Sequence, residues 1–219
     1  MNVCLIIPVK NPKKEFLKIV NFFINKFKII IIDDGSENNK HYFKKLQNRN
    51  LKILVNKKNR GKGFSVKKAL KNILDSKHNF GAVIADADGQ HSIKDIHKFC
   101  KHLYKKPNQL IIGQREFTIK NTPLRNYTGN KISTFLFFLK YKKVIDTQCG
   151  LRGIPYRIFR ASLKIKEDNF AFEQKFLNKF FILEKNLKFI KIKTIYNKKI
   201  RSHFKPVHDS LSVIKSLIK

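Results

Sequence analysis

Short apolar runs alternate with stretches whose apolar residues recur three and four positions apart, and this alternation organises the first half of the chain. Val3-Cys4-Leu5-Ile6-Ile7 is the first run, predicting a strand over 3–8 stopped by Pro8. Phe16, Ile19, Val20, Phe23 and Ile24 follow at helical spacing and predict a helix over 13–25. The run from Phe27 to Ile32 predicts a second strand, residues 38–48 a second helix, and Leu51 to Val55 a third strand. A polar loop over 56–63 precedes a helix over 64–74. A strand over 80–85, a helix over 95–104 and a strand over 109–113 complete the regular part. Beyond it the pattern predicts a helix over 126–140, a strand over 149–154, a helix over 171–185 and a strand over 188–196. A basic loop and an amphipathic helix are expected in 197–219. Phe172, Phe176, Phe180 and Leu183 share one helical stripe and are read as core.

Strand–helix alternation of this kind predicts an α/β fold with a mostly parallel central sheet and helices on both faces. The chain shows no internal repeat, low-complexity linker or composition break, so its 219 residues are expected to form one domain. A hydrophobic content of 42% suffices for a core. The formal charge of +33 suits an anionic partner: a nucleotide, a nucleic acid or an acidic membrane surface. The excess is spread along the chain, however, and all but eight of its 48 basic residues are lysine. Lys, Asn, Ile and Phe are all frequent and share AT-rich codons, so coding bias is a second source of this charge.

Cys4, Cys100 and Cys149 are too widely spaced for a zinc pair or a disulfide framework, which suits a reducing cytoplasm. The N-terminus has no signal-peptide pattern. No window reaches the ~20 apolar residues of a membrane span. Residues 132–141 come closest, flanked by Lys131, Lys140, Lys142 and Lys143. Such a helix either packs on the domain, the reading favoured here, or lies in a membrane interface.

Four loops would converge at the C-terminal ends of strands, where open α/β sheets bind ligands. Residues 80–91 read Phe-Gly-Ala-Val-Ile-Ala-Asp-Ala-Asp-Gly-Gln-His, an apolar strand that runs into Asp86 and Asp88. With Gln90 they offer oxygen ligands of the kind Mg²⁺ takes when it shares a site with substrate phosphates. The alternative is an acidic turn. Asp33-Asp34-Gly35-Ser36 can accept hydrogen bonds from a base or ribose, or cap a helix. Asn59-Arg60-Gly61-Lys62-Gly63 can bring backbone and Lys62 close to a phosphate, or form a plain basic loop. Pro8-Val9-Lys10-Asn11 is the remaining loop.

The order and spacing of these loops resemble the nucleotide-diphospho-sugar domain of family-2 glycosyltransferases, the three-layer GT-A fold. Gly113-Gln114-Arg115 resembles the family's Gly-x-Arg, and Arg125 with Gly129-Asn130 its following Arg and Gly-Asn. Asp146-Thr147-Gln148-Cys149-Gly150-Leu151-Arg152 resembles Asp-Thr-x-x-Gly-Phe-Arg, and Phe170-Ala171-Phe172-Glu173 resembles Phe-x-Phe-Glu. The segment from Ser202 to Leu211 resembles the tail of the branch that glycosylates polyprenyl phosphates, which includes dolichyl-phosphate mannosyltransferases. Two departures stand out. Asn11-Pro12 replaces the frequent Asn-Glu, and the chain stops at Lys219 where many relatives continue into membrane helices.

The resemblance implies a metal-dependent, inverting glycosyltransferase using a UDP- or GDP-linked donor and a lipid-phosphate acceptor. It places residues 1–115 as the nucleotide-binding half and 116–219 as the acceptor-binding half with a basic tail. Pro8, Asn11, Asp33, Asp34, Lys62 and Asp86 would surround the nucleotide. Asp86, Asp88 and Gln90 would hold Mg²⁺ or Mn²⁺. Arg115, Arg125, Arg201, His203 and Lys205 would hold the acceptor phosphate, since guanidinium groups match phosphate oxygens in a fork. A hydroxyl acceptor would instead need a base, with Glu173 first and Asp168 second, although Glu173 could merely orient Arg152. His91 is read as a helix-entry residue. A cytoplasmic enzyme in peripheral contact with an anionic membrane or a membrane partner is expected, without nucleic acid. A nucleic-acid-binding protein and a nucleotidyltransferase are the distant alternatives.

Overall fold

A computed structural model describes residues 2–76, 78–115, 124–143, 145–169 and 171–195. Strand β1 (Val3–Val9) is followed by α1 (Lys14–Phe23), β2 (Lys28–Asp33), α2 (His41–Lys44), β3 (Leu51–Val55) and α3 (Lys62–Asp75). Then come β4 (Gly81–Ile84), α4 (Ile93–Lys105), β5 (Leu110–Arg115) and α5 (Leu124–Tyr141). The remaining elements are β6 (Arg152–Ile154), a 3-10 turn (Tyr156–Ile158), α6 (Phe159–Leu163), α7 (Ala171–Leu183) and β7 (Leu187–Ile192).

The seven strands form one sheet in the order β3-β2-β1-β4-β6-β5-β7. All neighbours are parallel except at β6, which runs antiparallel to both β4 and β5. The period-two alternation of strand side chains divides the core into two layers. Cys4, Ile6, Ile30, Ile32, Ala82 and Ile84 face the layer formed with α3, α6 and α7. Val3, Leu5, Ile7, Ile29, Ile31 and Val83 face the layer formed with α1 and α4. Both faces are therefore buried, which is why these strands read as continuous apolar runs.

Several elements differ from the sequence-based expectation. β1 continues through Pro8 to Val9, in register with Ile32 and Asp33 of β2. Pairing with β4 ends at Ile6, so the missing Pro8 N–H costs no bond on that side. The helix expected over 38–48 shrinks to four residues. Asn39 takes a left-handed conformation, and the Asn48 side chain accepts the Asn50 N–H, so both ends are turned locally. The strand expected over 149–154 keeps only its last three residues. β7 ends at Ile192 rather than continuing towards 196. Leu183 does not belong to the core stripe: it is 64% exposed, while Phe172, Phe176 and Phe180 are buried.

Candidate functional site

Strand order reverses beside β1, with β2 on one side and β4 on the other. The acidic turns after β2 and β4 therefore leave the same sheet edge about two strand spacings apart, roughly 10 Å. The Asp34 N–H donates to the Val9 carbonyl and the Ala85 N–H to the Ile6 carbonyl, tying both turns to β1.

On the β2 side the polar groups fix loops. Asp33 accepts the Ser36 N–H at 2.8 Å and closes its own turn. Asp34 is buried and binds the neighbouring glycine-rich loop: one oxygen accepts the Arg60 N–H, the other the Gly61 N–H, both at 2.9 Å. The Asn56 side chain donates to Asp34 at 2.8 Å. Asn11 joins the first two loops, its side-chain oxygen accepting the N–H groups of Glu37 and Asn38. Its own N–H donates to the Ser36 hydroxyl. Pro8 is partly buried within β1. Asp34 and Asn11 thus bind the protein's own backbone, so their most direct role is to hold the loops that line this edge.

Gly61 caps α3 with a φ of +92°. A Cβ there would sit 2.5 Å from the Asp168 carbonyl oxygen, and one on Gly63 would sit 2.5 Å from the Phe172 Cβ. The paired glycines let α3 press against the segment leading into α7. This close approach brings Lys62, in the first turn of α3, against Glu173, in the first turn of α7.

Lys62 sits between two carboxylates. Its amine contacts Asp86, and lies 2.6 Å from Glu173. Burial works against the lysine charge, but the Asp86 and Glu173 charges outweigh it and hold the lysine pKa above its usual range. Burial likewise works against charge on Asp86, and the Lys62 charge overcomes it, lowering that carboxyl to about 2. His91 is buried beneath, its Nδ1 accepting the Asp86 N–H at 3.4 Å and its Nε2 3.8 Å from the Asp86 carboxylate. Burial depresses the imidazole to about 4, so His91 stays neutral at physiological pH. Ser92 rather than His91 caps α4, accepting the Asp95 N–H.

Asp88 is in the opposite electrostatic situation. Its carboxylate accepts the Gln90 N–H at 2.9 Å. Burial and then the Asp86 charge raise its pKa to about 6. Among the described residues no three His, Cys, Asp or Glu side chains form a metal cage. Two adjacent carboxylates, one strained by the charge of the other, instead fit a hard cation that takes its remaining oxygens from substrate phosphates.

Arg115 ends β5 and is held by the buried Asp146, through Nε at 2.6 Å and Nη2 at 3.2 Å. The same carboxylate accepts from the Asn130 side chain of α5 at 2.7 Å and from the Gln148 N–H at 3.1 Å. Arg152 is buried behind Glu173 and donates at 2.8 Å to its backbone carbonyl, not its carboxylate. A small cavity there is lined by Lys62, Gly150, Arg152, Phe172, Glu173 and Phe176. Asp168 pairs with Lys67 at 2.7 Å.

The structure thus brings together Lys62, Asp86 and Glu173, with Asp88 following in the same turn. Asp33, Asp34 and Asn11 lie on the neighbouring loops, and Arg115 on the far side of β6. The Arg125 side chain and residues Arg201, His203 and Lys205 lie outside the described residues. For two further contributors the sequence reading named the residue but not its place beside Asp86. One is His91, whose place directly after the acidic turn was the available signal. The other is Gly150, where a Cβ would collide with Asp86 and lie 2.6 Å from the Lys62 amine. A glycine between Cys149 and Leu151, in an otherwise buried segment, was its signal.

Residues 4–166 match the family Glycosyl transferase family 2. The chain belongs to this family and is a glycosyltransferase. It is 32% identical over 187 residues to UDP-N-acetylglucosamine–dolichyl-phosphate N-acetylglucosaminyltransferase of Methanococcus voltae, covering 74% of this chain and 71% of that one. It is 33% identical over 140 residues to dolichyl-phosphate beta-glucosyltransferase of Dictyostelium discoideum, covering 58% of this chain and 42% of that protein. The resemblance to the dolichyl-phosphate branch therefore holds. The fold matches glucosyl-3-phosphoglycerate synthase from Mycobacterium tuberculosis, solved with Mn²⁺, UDP and glucosyl-3-phosphoglycerate, with a TM-score of 0.72 at 12% identity. That match covers 99% of this chain and 78% of the synthase, and the architecture is the expected GT-A fold.

Proposed function

We propose that the protein transfers a sugar from a UDP- or GDP-linked donor to a polyprenyl phosphate, with inversion at the anomeric carbon. The observation that carries this reading is the state of Glu173. Its carboxylate is 2.6 Å from the largely buried Lys62 amine and shares that cation with Asp86. A carboxylate so engaged is poorly placed to take a proton from a hydroxyl, the step that a sugar-hydroxyl acceptor requires. A phosphate acceptor is already anionic near neutral pH and needs no such base. The dolichyl-phosphate enzymes among the relatives support the same acceptor class.

In this reading a phosphate oxygen attacks the anomeric carbon as the bond to the donor diphosphate breaks, and the electron pair leaves with the nucleoside diphosphate. The loops fixed by Asp33, Asp34 and Asn11, with Pro8 beneath, line the nucleoside side. Asp88, with Asp86 and Gln90, would hold Mg²⁺ or Mn²⁺, which when bound neutralises charge on the departing diphosphate. Lys62 keeps Asp86 ionised and fixed in place. Arg115, oriented by Asp146, would hold the acceptor phosphate, and Arg125, Arg201, His203 and Lys205 are the further candidates that the sequence offers for it. Residues 1–115 then form the donor half, and the remainder the acceptor half.

An acceptor panel tests this. Polyprenyl phosphate and free sugar acceptors are offered with labelled nucleotide-sugars to wild type and Glu173→Gln. A lipid-phosphate sugar that still forms with Glu173→Gln supports the reading. A product made only on sugar hydroxyls, and lost in Glu173→Gln, overturns it.

A further inference from the structure

Of the nine large hydrophobic side chains exposed among the described residues, six lie on two helices that touch. Ile132, Phe135, Phe138 and Leu139 belong to α5, and Ile182 and Leu183 to the end of α7. The helices meet through Phe181, whose ring centroid is 5.0 Å from that of Phe137 and 5.2 Å from that of Tyr141. Four such residues within one helix separate the surface of α5 from the scattered apolar residues of any protein exterior.

The helical repeat puts Ile132, Phe135 and Leu139 in one stripe with Phe138 at its side. The opposite face of α5 is committed to the protein. Asn130 donates to Asp146, Ser133 bonds Thr147, Thr134 donates to the Ile145 carbonyl at 2.9 Å, and Phe137 is fully buried. The helix is therefore apolar on both sides, and packing among the described residues accounts for one of them. Lysines border the outer side. Lys131, Lys140, Lys142 and Lys143 are all exposed, and the Lys142 amine lies 5.7 Å from the Phe138 ring centre. Lysines beside exposed Phe, Leu and Ile match an anionic bilayer: the aliphatic and aromatic groups enter the acyl boundary while the amines meet lipid phosphates. A second copy of the chain fits worse, because two molecules of +33 would bring their lysine borders together.

We infer that the outer face of α5 docks on an anionic lipid bilayer. The inference deepens the lipid-phosphate reading and rests on it for its purpose. The same helix bonds through Asn130 to the carboxylate that holds Arg115, so docking brings the proposed acceptor-binding group to the membrane that contains the acceptor.

The test is co-sedimentation with vesicles of phosphatidylcholine and phosphatidylglycerol in about equal parts. The vesicles hold no polyprenyl phosphate, and no nucleotide is added, so the result does not depend on catalysis. Wild type is expected to bind. An Ile132→Ser, Phe135→Ser, Leu139→Ser triple variant is expected to partition about tenfold less or weaker still. Val55→Ser, at an exposed apolar residue elsewhere, is expected to bind as wild type does. Far-ultraviolet circular dichroism reports folding. A Phe135→Trp variant in a chain without other tryptophan gives a second reading: its emission is expected to shift to the blue with vesicles. Wild type that stays in the supernatant overturns the inference. So does a triple variant that is folded and binds fully, or a lipid-free dimer that the triple variant dissolves. Transfer to a short, water-soluble polyprenyl phosphate is measured alongside. Loss of vesicle binding with that transfer intact supports docking and the acceptor reading together. Docking without any lipid-phosphate product supports docking alone.

Discussion

The amine of Lys62 lies 2.6 Å from the Glu173 carboxylate while it also contacts Asp86, so one largely buried cation joins the acidic turn after β4 to the start of α7. The join depends on the glycines at 61 and 63, which let two helix N-termini meet without side chains between them. Positive charge at the start of α3 is unfavourable for a helix dipole. Two carboxylates compensate it here, which makes Lys62 an organiser of the site rather than a free phosphate contact.

Lys62→Met tests that role. Removing the amine leaves Asp86 and Glu173 facing each other without compensation in a largely buried place. Unfolding in denaturant should show a loss of about 3 kcal/mol, as expected when one partner of a buried ion pair is removed. A Lys62→Met, Glu173→Gln double variant should recover part of that loss, because the repulsion between the two carboxylates is gone. Equal stability of the two variants would contradict the assignment.

Gly150→Ala adds one methyl group where Asp86 and the Lys62 amine already stand. The neighbours must shift, and overpacking of this kind costs about 1–3 kcal/mol. The protein should remain folded by circular dichroism with a lowered melting temperature. Transferase activity should fall far more than stability, because the displaced groups belong to the proposed donor site. Unchanged activity would detach Asp86 from the chemistry.

The three cysteines are all buried and reduced. Burial raises Cys4 and Cys149 to about 12, and Cys100 higher than its ordinary value. A raised pKa means less thiolate at any given pH, and the thiolate is the reactive form. The native protein at pH 8 should therefore react slowly with Ellman's reagent, and all three thiols should react at once in guanidinium chloride. Fast reaction of a native thiol would show that one of these sites opens.

The sheet was legible because both faces are covered, so that strands appear as apolar runs bounded by polar turns. Asp86 and Asp88 stood out for the same reason: carboxylates at the end of a buried run have no packing role. What escaped was short or non-local. β6 has three residues, too few for any periodicity, and its antiparallel direction is set by pairing with two strands far away in sequence. Asp34 looked like a ligand group because nothing local shows that its oxygens are taken by the backbone of Arg60 and Gly61. Leu183 fits the helical repeat of α7, yet faces outward where that helix leaves the sheet. For residues 132–141 packing on the domain, the favoured expectation, accounts for one face of α5, while the other face is exposed.

Labelled UDP- and GDP-sugars, incubated with purified protein, polyprenyl phosphate and Mg²⁺ or Mn²⁺, test the central claim most directly. Wild type should make a lipid-phosphate sugar that chelation of the ion abolishes, and Asp88→Ala should make none while remaining folded. Full activity of Asp88→Ala, or equal product after chelation, would contradict the account.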